Sequence, residues 1–143
     1  MSILIYWKYE NFVKDTAEGV SYNFNSRQSR LHSATEIGED VFVLGGMKKQ
    51  SGFEIYLLAH LIIKEKLHNP PGFIYGNYRI EADSAKSKYF SFDEEPITPY
   101  LSKLDSITHF DDEPYKYAQA FQTIRKLSKG DTQFLRTIAK NLA

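Results

Sequence analysis

Two stretches of this chain interleave side chains that stack, donate hydrogen bonds and carry positive charge. Residues 22–30 supply Tyr22, Asn23, Asn25, Ser26, Arg27, Ser29 and Arg30, and no acid occurs between Glu18 and Glu36. Residues 75–90 supply Tyr75, Asn77, Tyr78, Arg79, Lys86, Ser87, Lys88 and Tyr89. A nucleobase offers a π face for aromatic rings and edges that amides and arginines read. Phosphates take Arg, Lys, hydroxyls and backbone amides. Both stretches hold all of these types, so the expected chemistry is recognition of an anionic, planar ligand, first of all a nucleic acid. A tyrosine-rich β domain also carries such residues at its strand rims without binding anything, so the pattern sets an expectation and no more.

Bond-making chemistry is less well supplied. His32, His60, His68 and His109 are scattered without metal-ligand spacing, and only His60 falls inside a regular element. It reads first as a core or rim histidine. Paired with a nearby carboxylate, His60 or His68 would serve a small hydrolase or a nucleotide-processing enzyme. Asp93-Glu94-Glu95 and Asp111-Asp112-Glu113 read as solvated loops and helix caps. Asp83 with Lys86 is too common a pairing to indicate a nuclease. Gly45-Gly46 sits in a hairpin, not ahead of a helix, so no loop is built to cradle phosphate. No catalytic residue, metal site or cofactor is assigned. A third possibility is a protein-interaction adaptor that docks a basic partner on the acidic loop 93–113.

The bulk properties agree with a small binding domain. The chain has 143 residues, the size of one domain with its own core. Its formal net charge is +0, which excludes a global field toward nucleic acid or membrane. Charge is placed unevenly: 93–113 is acidic, and the stretch from Tyr115 onward is basic apart from Asp131. Cysteine is absent, which excludes disulfides and thiolate zinc sites. No run reaches the length of a membrane span and the first 20 residues lack a signal-peptide pattern, so the expected setting is cytoplasmic, with no membrane partner.

The elements that must position these residues follow from pattern. Ile3 to Trp7 is a short run of β formers, and Leu31 to Glu36 fits a short helix before a turn at Gly38. Asp40 to Leu44 is apolar on both alternating faces, as in a strand covered on both sides. Gly45 to Gly52 reads as a turn. Phe53 to Leu67 fits either a strand or a helix; its Ile, Tyr and Phe content and the preceding turn favour the strand. His68-Asn-Pro-Pro-Gly72 is a firm turn, Tyr78 to Ala82 a half-buried strand, and Lys88 to Phe92 a further strand. A helix is expected from Asp111 or Asp112, with Tyr117, Phe121, Ile124 and Leu127 on one face. Gly130 would end it, and Asp131 would cap a second helix carrying Phe134, Leu135, Ile138 and Leu142. The expected class is α+β in a single domain: a β body over 1–92, an acidic loop over 93–113 and C-terminal helices over 113–141.

The order of the first half resembles the EVE-like members of the PUA superfamily. Trp7 matches a first-strand aromatic, Arg27 and Arg30 match a basic loop, and Ile37-Gly38-Glu39-Asp40 matches a turn opening a central strand, with Glu39 inserted relative to the family pattern. Tyr78-Arg79-Ile80 matches a late barrel strand loosely. The resemblance covers residues 1–92. It implies a small mixed β-barrel with helices outside, and recognition of nucleic acid, DNA ahead of RNA, often at a modified base. Prokaryotic relatives are often fused to nucleases or motor domains that restrict modified DNA, so the chain would be the N-terminal recognition module of a larger protein with such an effector. The expected site is Trp7, Tyr22, Asn23, Asn25, Ser26, Arg27, Arg30, Tyr75, Tyr78, Arg79, Lys86, Lys88 and Tyr89, with Trp7 and at least two of the tyrosines lining one concave pocket.

Overall fold

A computed structural model describes residues 2–6, 23–50, 52–73, 76–90, 95–104 and 124–142. Among these residues seven strands form one mixed sheet: β1 (Ile3–Tyr6), β2 (Asn23–Ser26), β3 (Asp40–Lys49), β4 (Gly52–His68), β5 (Tyr78–Ala82), β6 (Lys88–Tyr89) and β7 (Arg125–Lys126). They run in the order β2-β5-β4-β3-β1-β7, with β6 beside β4. Two α-helices, α1 (Arg30–Ser33) and α2 (Lys129–Asn141), and a 3-10 turn over Thr98–Lys103 complete the described chain. The class is α+β. The closed barrel is not found: among the described residues β2 and β7 stand at opposite ends of the path, and the sheet is open.

Segment 52–68 is a strand, and the whole sheet is organised on it. Its first part pairs antiparallel with β3, from Gly52 opposite Lys49 to Ile62 opposite Asp40. Its last part pairs with β5, from Ile63 opposite Ala82 to His68 opposite Tyr78. Bulges between Val43 and Leu44 and between Ile63 and Glu65 raise the local twist, which lets one strand serve two ladders. β1 adds to β3 in parallel register, Ile3 opposite Val41.

Period-two alternation splits the apolar residues between the two sheet faces. Ile3, Ile5, Val41, Val43, Leu58 and Ile80 pack on one face with Leu31 of α1. Leu4, Phe42, Leu44, Ile55 and Leu57 pack on the other with Leu101, Leu135 and Ala139. The double covering expected for 40–44 is therefore present.

Besides the barrel, three further expectations need correction. Residues 45–49 continue β3 instead of turning. Gly46 is there for close approach: a Cβ on it would lie 2.2 Å from the Phe53 ring and 2.8 Å from the Tyr6 hydroxyl. That hydroxyl accepts a hydrogen bond from Gly46 N at 3.1 Å. Second, Arg125–Lys126 is a strand, not the end of a helix, and pairs antiparallel with β1. In a strand, positions three apart point to opposite faces, and Ile124 and Leu127 accordingly enter different clusters. Third, α2 begins earlier than Asp131. Ser128 is its N-cap, in extended conformation, with Oγ accepting from Asp131 N at 3.1 Å. The part of the first expected C-terminal helix from 111 to 123 lies outside the described residues. Among the described residues no helix is long and apolar enough to cross a membrane.

Candidate functional site

The two recognition stretches are neighbours in the sheet. β2 pairs antiparallel with β5, with Asn23 opposite Glu81, Phe24 opposite Ile80, Asn25 opposite Arg79 and Ser26 opposite Tyr78. Alternation sends Ile80 and Phe24 into the core and leaves Asn23, Asn25, Arg79 and Glu81 on the other face. That face is less positive than the composition implies. Arg79 forms an ion pair with Glu81 two residues along its own strand, both about one-third exposed. Arg79 Nε is buried with no hydrogen-bond partner among the described residues. The Asn25 side chain is engaged as well, its Oδ1 accepting from Asn69 Nδ2 at 2.9 Å.

β2 leads directly into a cleft. Ser26 Oγ accepts from Gln28 N at 3.0 Å and bends the chain. Arg27, Gly72, Phe73, Gly76 and Asn77 line a cavity of about 450 Å³ at this corner. Arg27 and Asn77 are exposed, and Phe73 exposes 37% of its surface. The described residues of the loop that carries Phe73 are tied down. Asn69 N donates to Asn77 O at 2.8 Å, Gly76 N to Phe73 O at 3.0 Å, and Phe73 N to Pro70 O at 3.1 Å. Asn69 Nδ2 also donates to Gly76 O at 2.9 Å. Gly76, at φ 108°, leaves no room for a side chain, because a Cβ would lie 2.3 Å from Ser26 C and 2.4 Å from Arg27 N. The loop therefore rests backbone to backbone on the end of β2.

Tyr78 faces inward at the same corner. Its ring packs edge-on against His32 at 5.2 Å and near His68 at 5.7 Å, and the two imidazoles lie 5.0 Å apart. His32 Nε2 bonds Arg79 O at 2.8 Å and so docks α1 on β5. Arg30 opens α1 on its exposed side. Lys66 Nζ donates to Thr35 O at 2.8 Å and to His32 O at 3.2 Å, closing the far end of that helix.

Lys86, Lys88 and Tyr89 lie beyond the other end of β5. The four steps from Tyr78 to Ala82 alone span about 13 Å at ~3.3 Å per residue. Lys86 sits in a turn closed by its N–H to Asp83 O at 3.2 Å. Lys88 stands 5.8 Å over the Phe90 ring, and Tyr89 packs on the core. These three do not join the Arg27 cleft. Trp7, Tyr22 and Tyr75 lie outside the described residues, and so does the expectation that Trp7 and the tyrosines line one pocket.

A second polar cluster joins β3, β4 and α2, and in it His60 meets a carboxylate, as the hydrolase reading of the sequence required. Asp40, 1% exposed, accepts Arg136 on both oxygens, Nη2 at 2.6 Å and Nε at 2.8 Å. His60 Nε2 is 2.6 Å from Asp40 Oδ2, and its ring stacks on Phe42 at 4.5 Å and 9°. Burial raises the Asp40 pKa, but the hydrogen bonds and charges of Arg136 and His60 more than offset this and hold it at about 2. The hydrogen bond to Asp40 in turn raises the Arg136 pKa. An ionised Asp40 only accepts, so His60 Nε2 carries the proton in this contact. A cleft of about 270 Å³ beside the cluster is lined by Arg136, Lys129, Thr132 and Glu39 but not by His60. Among the described residues no group of three or more His, Asp or Glu could hold a metal ion.

The sequence pattern missed Phe73 and Asn69, because 68–72 reads only as a stop signal. An aromatic directly after Pro-Pro-Gly was the available clue, since a rigid turn can present a ring to solvent. No protein-family model matches the chain, and no curated protein matches it.

Proposed function

We propose that this chain is a nucleic-acid recognition module with DNA as its first target, binding at the corner where β2 and β5 meet Gly72, Phe73, Gly76 and Asn77. The observation that carries the reading is the β2–β5 register, which makes neighbours of the two stretches that interleave aromatic, amide and basic side chains. Arg27 lines this corner and Arg30 is exposed at the start of α1, three residues on; both would take phosphates, contacts that account for most sequence-independent affinity. The EVE-like resemblance extends the proposal to a reader of modified bases that serves a fused or associated nuclease or motor. The test is a panel of modified and unmodified DNA and RNA oligonucleotides, titrated at two salt concentrations. Salt-sensitive binding with DNA and a modified base preferred is expected. Failure of the folded protein to bind any member contradicts the proposal.

A small hydrolase is the second reading, favoured by the His60–Asp40 contact at 2.6 Å. Against it, both oxygens of Asp40 are taken by Arg136, so its charge is already neutralised, and the neighbouring cleft is not lined by His60. Turnover of a phosphoester or nucleotide that disappears in His60→Ala would establish this reading in place of the first.

A further inference from the structure

The cleft at the end of β2 brings three chemistries together. Phe73 exposes 37% of its surface, and among the described residues only Ile37 is a more exposed large hydrophobic side chain. Desolvating the exposed part of the ring is favourable, and four hydrogen bonds tie Asn69, Pro70, Phe73, Gly76 and Asn77 to one another around it. Arg27 brings a permanent positive charge to the same cavity, and Asn77 an amide with both donor and acceptor. The cavity, at about 450 Å³, falls within the range of about 300–1,000 Å³ usual for small-ligand pockets.

Resting on the nucleic-acid reading above, we infer that this cleft receives one unpaired nucleotide of a single strand. The base stacks on Phe73, Asn77 meets its edge and Arg27 its phosphate. A ring set inside a concave corner reaches the face of a base only when that base has left its own stack, so a continuous duplex is a poor occupant. Asn77 reads the hydrogen-bonding edge that pairing in a duplex would occupy. Two positive-φ glycines, Gly72 at 83° and Gly76 at 108°, line the same cavity, keeping its backbone walls free of side chains.

The experiment measures fluorescence anisotropy of the full chain with three labelled DNAs: a short single strand, its perfect duplex, and a strand of equal length with abasic central positions. The wild type is expected to prefer the base-bearing single strand over both others. Phe73→Ala should weaken that strand by about tenfold or more and leave the abasic strand unchanged. Phe73→Leu keeps apolar bulk and should fail in the same way, whereas Phe73→Trp should retain binding. Arg27→Ala should weaken both single strands alike. Thermal melting of each variant separates these losses from unfolding. Wild-type binding that survives undiminished in folded Phe73→Ala and Phe73→Leu would overturn the inference and leave nucleic-acid recognition standing. Equal affinity for the duplex and the base-bearing single strand would also overturn it. Absence of binding to all three DNAs by the folded wild type would overturn the recognition reading and the inference with it.

Discussion

Asp40 and Arg136, 96 positions apart, meet in a two-point ion pair with N–O distances of 2.6 and 2.8 Å that fastens α2 to the centre of the sheet. The carboxylate is buried while the guanidinium is about half exposed. Removing either partner alone therefore differs from removing both. Arg136→Leu leaves a buried charge bonded, among the described residues, only to His60 and is expected to cost about 3 kcal/mol. Asp40→Leu combined with Arg136→Leu is expected to cost less than the Arg136 change alone. Urea unfolding of the two singles and the double variant measures this, and full additivity would contradict it.

The same pair sets an acid limit. The Asp40 pKa falls from 3.8 in the unfolded chain to about 2 in the fold, so the native state holds this proton less tightly. Its contribution, about 2 kcal/mol, is fully present above pH 4 or so and is lost as the pH falls toward 2. Wild-type melting temperature should drop through this window more steeply than that of Asp40→Asn. Parallel pH profiles would remove Asp40 from the account.

Gly76 is expected to tolerate no side chain. Gly76→Ala combines a positive φ with a Cβ 2.3 Å from the Ser26 backbone and should destabilise by roughly 2 kcal/mol. If the Phe73 loop is held as described, the variant also loses oligonucleotide affinity. A variant that melts and binds like wild type would show that the loop does not rest on β2.

These relationships divide what the sequence discloses from what it does not. The strand over 52–68 was legible because Ile, Tyr and Phe crowd it, and Tyr78–Ala82 because its alternation is regular. Two-residue β7 carries no period at all, and its neighbours Ile124 and Leu127 fit a helix face equally well. Gly45-Gly46 reads as a turn because a contact with Phe53 and Tyr6 is not a local property. In the site, the composition of 22–30 and 75–90 was plain. The Arg79–Glu81 pairing depends on which face of β5 each residue takes, and the Arg27–Phe73 cleft on how a loop folds back, so neither could be read from spacing.

Glu81 offers a gain-of-function check. It neutralises Arg79 on the outer face of β5, next to the ladder with β2. Glu81→Gln should raise DNA affinity by about threefold at low salt, the scale of a partly exposed ion pair, and the gain should shrink as salt rises. Unchanged affinity would place the bound strand away from this face.

The central claim is that phosphates are held at the β2–β5 corner by Arg27 and Arg30. Its most direct measurement is DNA affinity as a function of salt for the wild type, Arg27→Ala and Arg30→Ala, with melting recorded alongside. The expected result is a linear fall of log K with log salt for the wild type. Each variant should lose about one unit of slope, with stability changed by less than about 0.5 kcal/mol. Variants that melt early yet keep the wild-type slope would contradict the claim and make both arginines structural.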